Sequence, residues 1–134
     1  MSYKYPRKSQ YSFKVKRSVA GLGLFVEGPI KKGDFVIEYC GPLLNEEEAD
    51  RKNGKYLFEI DDTWTIDGSG RENIARYINH SCKPNCETEI EGKRLFIYAL
   101  RSIKAGEELT YDYGKEYFND FIKPCGCKCG NHKK

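Results

Sequence analysis

The 134-residue sequence lacks any apolar run long enough to cross a bilayer, which excludes a helical membrane span. Its amino-terminal stretch is basic and aromatic but has no apolar core ahead of a cleavage site, so no secretory signal is expected. No acidic residue occurs between Met1 and Val26. No low-complexity linker divides the chain, and no segment recurs as a repeat array would, so one domain around one core is expected. Histidine is scarce, with two copies, and proline numbers five against 13 glycines. Many glycines with few prolines suggest tight turns between short strands.

The residues present suit a soluble globular domain, 39% hydrophobic and 32% charged. The net charge of +3 is unevenly placed. Lys4, Arg7, Lys8, Lys14, Lys16 and Arg17 crowd the start, while Glu46, Glu47, Glu48 and Asp50, then Glu59, Asp61 and Asp62, form acidic groups. A solvated arm and a solvated helix face account for this pattern. An arm that touches nucleic acid and an acidic surface that attracts a basic peptide account for it too. The six cysteines are Cys40, Cys82, Cys86, Cys125, Cys127 and Cys129. Without a secretory route, metal binding is favoured over a disulfide framework. Cys125-Gly126-Cys127-Lys128-Cys129 sets three thiols at alternate positions in a glycine-containing tail, which suits convergence on one metal.

Short β segments begin at Phe13. A glycine turn enters a strand over residues 21–26, and residues 35–39 form another that Gly41-Pro42 stops. Asn45 followed by Glu48 is a capping-box pattern, which predicts a short helix from Glu46 to about Lys52, ended by Asn53-Gly54. Asp61-Asp62-Thr63 joins residues 56–60 to residues 64–67 in a hairpin, and Glu91-Gly92-Lys93-Arg94 joins 88–90 to 95–99 in a second. Residues 74–78 read as one helical turn, 109–113 as the last strand, and 117–122 as a helical turn before the cysteines. Ile30-Lys31-Lys32-Gly33-Asp34 and Ile103-Lys104-Ala105-Gly106-Glu107 share one shape, a single turn chemistry used twice.

The densest polar chemistry lies in Ala75-Arg76-Tyr77-Ile78-Asn79-His80-Ser81-Cys82-Lys83-Pro84-Asn85-Cys86. Asparagine, histidine and serine supply donors and acceptors in a short span, and such density inside a domain must be satisfied by backbone or by a ligand. A loop whose side chains cap neighbouring turns is one reading and a ligand site the other. Asn79-His80-Ser81 also matches a glycosylation sequon, which the expected lack of a secretory route discounts.

From Arg76 to Asn85 this segment resembles the central signature of SET-domain protein-lysine methyltransferases. Three further pieces resemble that family in order and spacing: Gly21-Leu22-Gly23-Leu24-Phe25, Glu38-Tyr39-Cys40-Gly41, and Gly106-Glu107-Glu108-Leu109-Thr110-Tyr111-Asp112-Tyr113-Gly114. The terminal cysteines resemble a post-SET zinc tail. The resemblance covers roughly residues 12–132 and implies a basic arm (1–11), a SET domain (12–114) and a post-SET cysteine tail (115–134). It implies a mostly-β SET fold of short sheets with few short helices. It also implies a C-terminal pseudoknot, in which the chain threads under a loop near the central signature, a rare arrangement. Cofactor and substrate are expected on opposite faces, joined by a narrow channel.

The implied activity is transfer of a methyl group from S-adenosylmethionine to a lysine of another protein. On the cofactor side the resemblance places Gly21, Leu22 and Gly23 against the donor, where glycine permits close backbone approach. It has Asn79 and His80 bond the donor, Arg76 and Tyr77 shape the same pocket, and Tyr117 or Phe118 cover the adenine or the channel. On the lysine side Tyr39 lines the channel and Tyr113 is the catalytic tyrosine. Tyr111 holds the position whose Phe or Tyr identity governs how many methyls are added, so mono- or dimethylation is expected. In-line displacement from a sulfonium requires nitrogen, methyl and sulfur to be aligned. An aromatic channel lowers the pKa of the incoming ammonium, and tyrosine ring faces tolerate the cationic product. No dedicated histidine base is needed, in keeping with two histidines.

Zinc is implied at Cys82 and the tail, but the tail departs from the family, which spaces its last cysteine several residues further on. Either Cys82, Cys125, Cys127 and Cys129 bind the ion, or His132 replaces one tail cysteine; a metal-free tail is the alternative. Cys40 and Cys86 read as structural thiols. Asp67-Gly68-Ser69-Gly70-Arg71-Glu72-Asn73 also departs from the family, as loop variation. Residues 45–67 correspond to the variable insert that reads the peptide, and its Glu59, Asp61 and Asp62 either favour a basic segment or are simply solvated. The expected partner is a protein with a lysine in a basic segment, such as a histone or another chromosomal or ribosomal protein. An intracellular setting is expected, cytoplasmic in a prokaryote and nuclear in a eukaryote. Nucleic acid is a lesser expectation through the arm, and no membrane partner is expected. A catalytically weak SET-like binding module and a zinc-ribbon nucleic-acid binder are the competing readings. Tyr113, Asn79 and His80 argue against the first, and the single cysteine-dense segment against the second.

Overall fold

The computed structural model describes residues 6–19, 21–52, 54 and 56–113. In chain order its strands are β1 (Phe13–Ser18), β2 (Gly21–Val26), β3 (Phe35–Tyr39), β4 (Leu43–Leu44), β5 (Leu57–Glu59), β6 (Thr65–Asp67), β7 (Asn79–His80), β8 (Cys86–Glu91), β9 (Arg94–Ala99) and β10 (Thr110–Tyr111). One helix, α1 (Glu46–Lys52), and one 3₁₀ turn (Ile74–Tyr77) complete this part. The mostly-β expectation holds, as four small sheets: β1-β2, β3-β9-β8, β4-β6-β5 and the pair β7-β10.

Local chemistry explains most of these elements. The Asn45 carboxamide oxygen accepts from Glu48 N at 2.8 Å, and the Glu48 carboxylate accepts from Asn45 N at 2.9 Å, a closed capping box that starts α1 where expected. The β5–β6 hairpin turns on Asp61, whose Oδ1 accepts from the Thr63 and Trp64 amides at 2.8 and 2.7 Å. The β8–β9 hairpin turns at Gly92, with φ +64°. Strand β9 is the middle strand of its sheet, and its consecutive Leu95, Phe96 and Ile97 are all buried, as in a strand covered on both faces.

The two matching turn motifs meet in space. Asp34 N bonds Lys31 O, and Glu107 N bonds Lys104 O, with Gly33 and Gly106 at φ +86° and +87°. A positive φ at the third position is the type II turn, which favours glycine there. The leading residues Ile30 and Ile103 form an antiparallel bridge, exchanging N–H···O bonds of 2.8 and 2.9 Å, and both are buried. The echo is therefore a pair of mutually supporting turns that closes the core over Leu24, Val26 and Leu109.

The basic arm is tied more firmly than its composition suggests. Residues 7–11 lie along β3: Arg7 N donates to Glu38 Oε1 at 2.6 Å, Ser9 Oγ donates to Val36 O, and Tyr11 OH donates to Asp34 Oδ2 at 2.5 Å. The Arg7 guanidinium sits 4.0 Å from the centre of the Phe35 ring. The expected helical turn over 117–122, the cysteine tail and the threading of the C-terminal segment lie outside the described residues. No described helix is long and apolar enough to cross a membrane.

Candidate active site

Strands β7 and β10 bring the central signature beside the final motif. They pair in parallel, Asn79 opposite Thr110 and His80 opposite Tyr111. Two residues make a weak ladder, and Asn85 reinforces it. The buried Asn85 carboxamide donates to Glu108 O at 2.9 Å and accepts from Thr110 N at 2.9 Å, while Thr110 Oγ1 accepts from Asn85 N at 3.2 Å. The polar loop thus uses Asn85 as an internal clamp and leaves Asn79 and His80 at the junction.

A succession of aromatic rings runs from this junction. Ring centroids lie 5.3 Å apart for His80 and Tyr113, 5.0 Å for Tyr113 and Tyr111, 6.3 Å for Tyr111 and Phe58, and 5.6 Å for Phe58 and Tyr39. Tyr39 and Tyr111 are buried. The Tyr39 hydroxyl donates to Tyr56 O at 2.7 Å, and the Tyr113 hydroxyl donates to Ile78 O at 2.5 Å. Gly68 makes room for the first ring, since a Cβ there would fall 2.5 Å from Tyr39 ring atoms. Tyr113 N donates to His80 Nδ1 at 3.1 Å. Because Nδ1 accepts, the ring proton lies on Nε2, 3.3 Å from Cys82 Sγ.

The other side of the junction is polar. The Asn79 carboxamide nitrogen donates to Leu22 O at 2.9 Å and to Glu108 Oε2 at 2.7 Å, tying β7 to the glycine strand β2. Among the described residues nothing stands where a Gly21 Cβ would be, and Leu22 is half exposed. Arg76 Nη2 donates to Tyr77 OH at 2.8 Å, and its guanidinium lies 5.3 Å from the Tyr56 ring centre.

The predicted residues of β2, β3, β7 and the final motif therefore converge. Tyr117, Phe118, Cys125, Cys127, Cys129 and His132 lie outside the described residues. Phe58, Asn85 and Glu108 were not singled out by the sequence reading. Asn85 and Glu108 stood within recognised motifs, and their hydrogen-bond capacity was the available signal. Phe58 had only its place in a predicted strand. The described cysteines differ sharply. Cys40 and Cys86 are buried, and burial pushes the Cys86 thiol up to about 12, so it stays neutral. Cys82 is exposed.

Residues 21–114 match the family described as SET domain. The chain is 42% identical to histone-lysine N-methyltransferase ATXR7 of Arabidopsis thaliana, over 98% of this chain and 10% of that protein. It is 45% identical to a histone-lysine N-methyltransferase, H3 lysine-4 specific, of Schizosaccharomyces pombe, over 90% of this chain and 14% of that protein. Its identity to histone-lysine N-methyltransferase trithorax of Drosophila virilis is 42%, over 81% of this chain and 3% of that protein. The chain thus spans a small part of the length of each of these relatives.

Proposed function

The chain belongs to the SET-domain family, and from that premise we propose that it is an S-adenosylmethionine-dependent protein-lysine N-methyltransferase acting on a basic segment, a histone foremost. The observation that carries this reading is the aromatic succession Tyr39, Phe58, Tyr111 and Tyr113, which ends at His80 and Asn79 beside the open glycine strand. In this reading the rings line an apolar approach for a lysine on one side, and polar backbone and carboxamide groups meet a methyl donor on the other. The names of the relatives support a histone substrate, and with it a nuclear setting in a eukaryotic cell.

The residues present fit the methyl donor. No described residue fills the space beside Gly21, Leu22 is half exposed, and Asn79 stands bonded to the Leu22 carbonyl. When bound, S-adenosylmethionine supplies an electrophilic methyl on a sulfonium. Gly21, Leu22, Gly23, Asn79 and His80 hold it in this reading, with Arg76, Tyr77 and Tyr117 or Phe118 enclosing the pocket. The chain's part is to desolvate the lysine so that it presents a neutral amine and to align that amine. The Tyr113 hydroxyl and the Tyr111 and Tyr39 rings do this. Exposed Glu59, Asp61 and Asp62 favour a basic peptide. The Trp64 and Thr63 amides hold the Asp61 carboxyl below its ordinary range, keeping it charged. The test is incubation with labelled S-adenosylmethionine and core histones. Label on lysine, lost in Tyr113→Phe, is expected, and no label on any histone overturns the assignment.

Tyr111 limits the product to one or two methyls in this reading, because its hydroxyl takes room that a growing methylammonium needs. Tyr111→Phe is expected to move the dominant product up by about one methyl, read by mass spectrometry; an unchanged distribution refutes the limit.

Zinc completes the proposal. Cys82 is the one exposed thiol among the described residues, and together with Cys125, Cys127 and Cys129, or with His132 in place of one of them, it would make a soft donor set suited to that ion. No metal-binding cluster exists among the described residues alone, and in this reading the tail supplies the other ligands. Bound zinc would fasten the tail beside His80 and Tyr113. Elemental analysis is expected to give about one zinc per chain, falling toward zero in Cys82→Ser; equal zinc in both proteins rules out Cys82 as a ligand.

A further inference from the structure

The geometry points to Glu108 as a positioning residue for the methyl donor, acting through Asn79; this rests on the methyltransferase reading above. Asn79 has two partners, both contacted by its carboxamide nitrogen: Leu22 O at 2.9 Å and Glu108 Oε2 at 2.7 Å. A backbone carbonyl can only accept, so the nitrogen must face it, and the amide orientation is fixed by chemistry. Both amide hydrogens are thereby used. Oδ1 is turned the other way, and among the described residues no group donates to it. The result is an oriented acceptor beside the glycine strand, where no described residue fills the space next to Gly21. Such an acceptor complements a cationic donor group, and the α-ammonium of the amino-acid portion of S-adenosylmethionine is one.

Glu108 is built into its place. Its other oxygen, Oε1, accepts from Ser18 Oγ at 2.7 Å, which anchors the carboxylate to the end of β1. A Cβ on Gly23 would fall 2.3 Å from Oε2, so the second glycine of the motif leaves room for this carboxylate as well as for any ligand. Leu109 N bonds Leu24 O at 2.8 Å, which holds the Glu108 backbone against β2. Without the carboxylate, the Asn79 amide loses one of two bonds that set its direction. A rotated amide would present N–H groups to the ammonium.

The test measures binding of two ligands by calorimetry. One is S-adenosylhomocysteine; the other is 5′-deoxy-5′-methylthioadenosine, the same thioether nucleoside without the amino-acid portion. Glu108→Ala is expected to weaken S-adenosylhomocysteine about tenfold or more and to leave the second ligand within about twofold, a loss on the scale of one hydrogen bond to a charged group. Glu108→Gln, whose oxygen still accepts from Asn79, is expected to keep most of the affinity. In an Asn79→Ala background the effect of Glu108→Ala should vanish. Should Glu108→Ala not fold, Ser18→Ala gives the same ligand-selective pattern at about threefold. In turnover, donor KM rises while kcat at saturating donor stays within about twofold. Equal weakening of both ligands, or none for either in folded protein, overturns the role of Glu108. Failure of wild type to bind S-adenosylhomocysteine overturns the methyltransferase reading itself, and this inference with it.

Discussion

Replacing Tyr113 by phenylalanine is expected to lower kcat for lysine methylation by about 100-fold or more, with donor affinity held within about twofold. The change removes one hydroxyl and little else. Among the described residues, three of the contacts that place Tyr113 do not involve its hydroxyl: its ring against Tyr111 at 5.0 Å, its ring against His80 at 5.3 Å, and its backbone N–H on His80 Nδ1. All three survive in phenylalanine. What disappears is the group that donates to Ile78 O and to which the proposed function assigns the orienting of the amine. Loss of that bond costs about 1 kcal/mol of stability, a shift of a few degrees in Tm. Single-turnover methylation beside a melting curve separates the two effects. A variant with wild-type kcat would remove Tyr113 from the chemistry.

Gly41→Ala carries the largest expected effect on stability. A Cβ at this position would stand 1.9 Å from Asp67 O and 2.8 Å from Asp67 C. Those atoms are backbone, so no side-chain rotation relieves the overlap. Asp67 cannot retreat easily, because its N–H bonds Pro42 O at 2.9 Å and its carboxylate pairs with Lys52 of α1 at 2.9 Å. Overpacking at such a crossing costs about 3 kcal/mol or more, and Tm should fall by about 10 °C or more. The strain also reaches the site. Gly68, next along the chain, packs directly on the Tyr39 ring, so a displaced β6 pushes on the lysine side of the aromatic succession. Thermal unfolding is the check, and an unchanged Tm would show that the two backbones do not approach so closely.

Elements with a local code were legible. Asn45 and Glu48 carry a helix start within four residues, and their reciprocal bonds form as the pattern predicts. The Asp61 and Gly92 hairpins depend on neighbours in sequence, as do the turns at Gly33 and Gly106. Strand β4 escaped notice because two leucines after a proline carry no period; pairing with Ile66 and Thr65 makes it a strand. The tethering of the arm escaped for a similar reason. Residues 1–12 read as a loose or weakly tied arm until Glu38 and Val36 of β3, and Asp34 just before it, bond Arg7, Ser9 and Tyr11.

The candidate site divides along the same line. The family resemblance of the motifs named Tyr39, Asn79, His80, Tyr111 and Tyr113. Their convergence needed the fold. Asn79 reaches Leu22 across 57 positions and Glu108 across 29, and Glu108 reaches Ser18 across 90. No periodicity encodes such pairings, because each depends on strands from opposite ends of the domain packing side by side. Sequence thus decided which groups are available and where the chain turns, through hydrogen bonds that close within a few residues. Tertiary structure decided which of those groups touch: the place of Phe58 among the tyrosines, the clamp of Asn85 on β10, and the carboxylate of Glu108 that orients Asn79. These are long-range contacts, whose loop-closure cost is met only when the whole core forms.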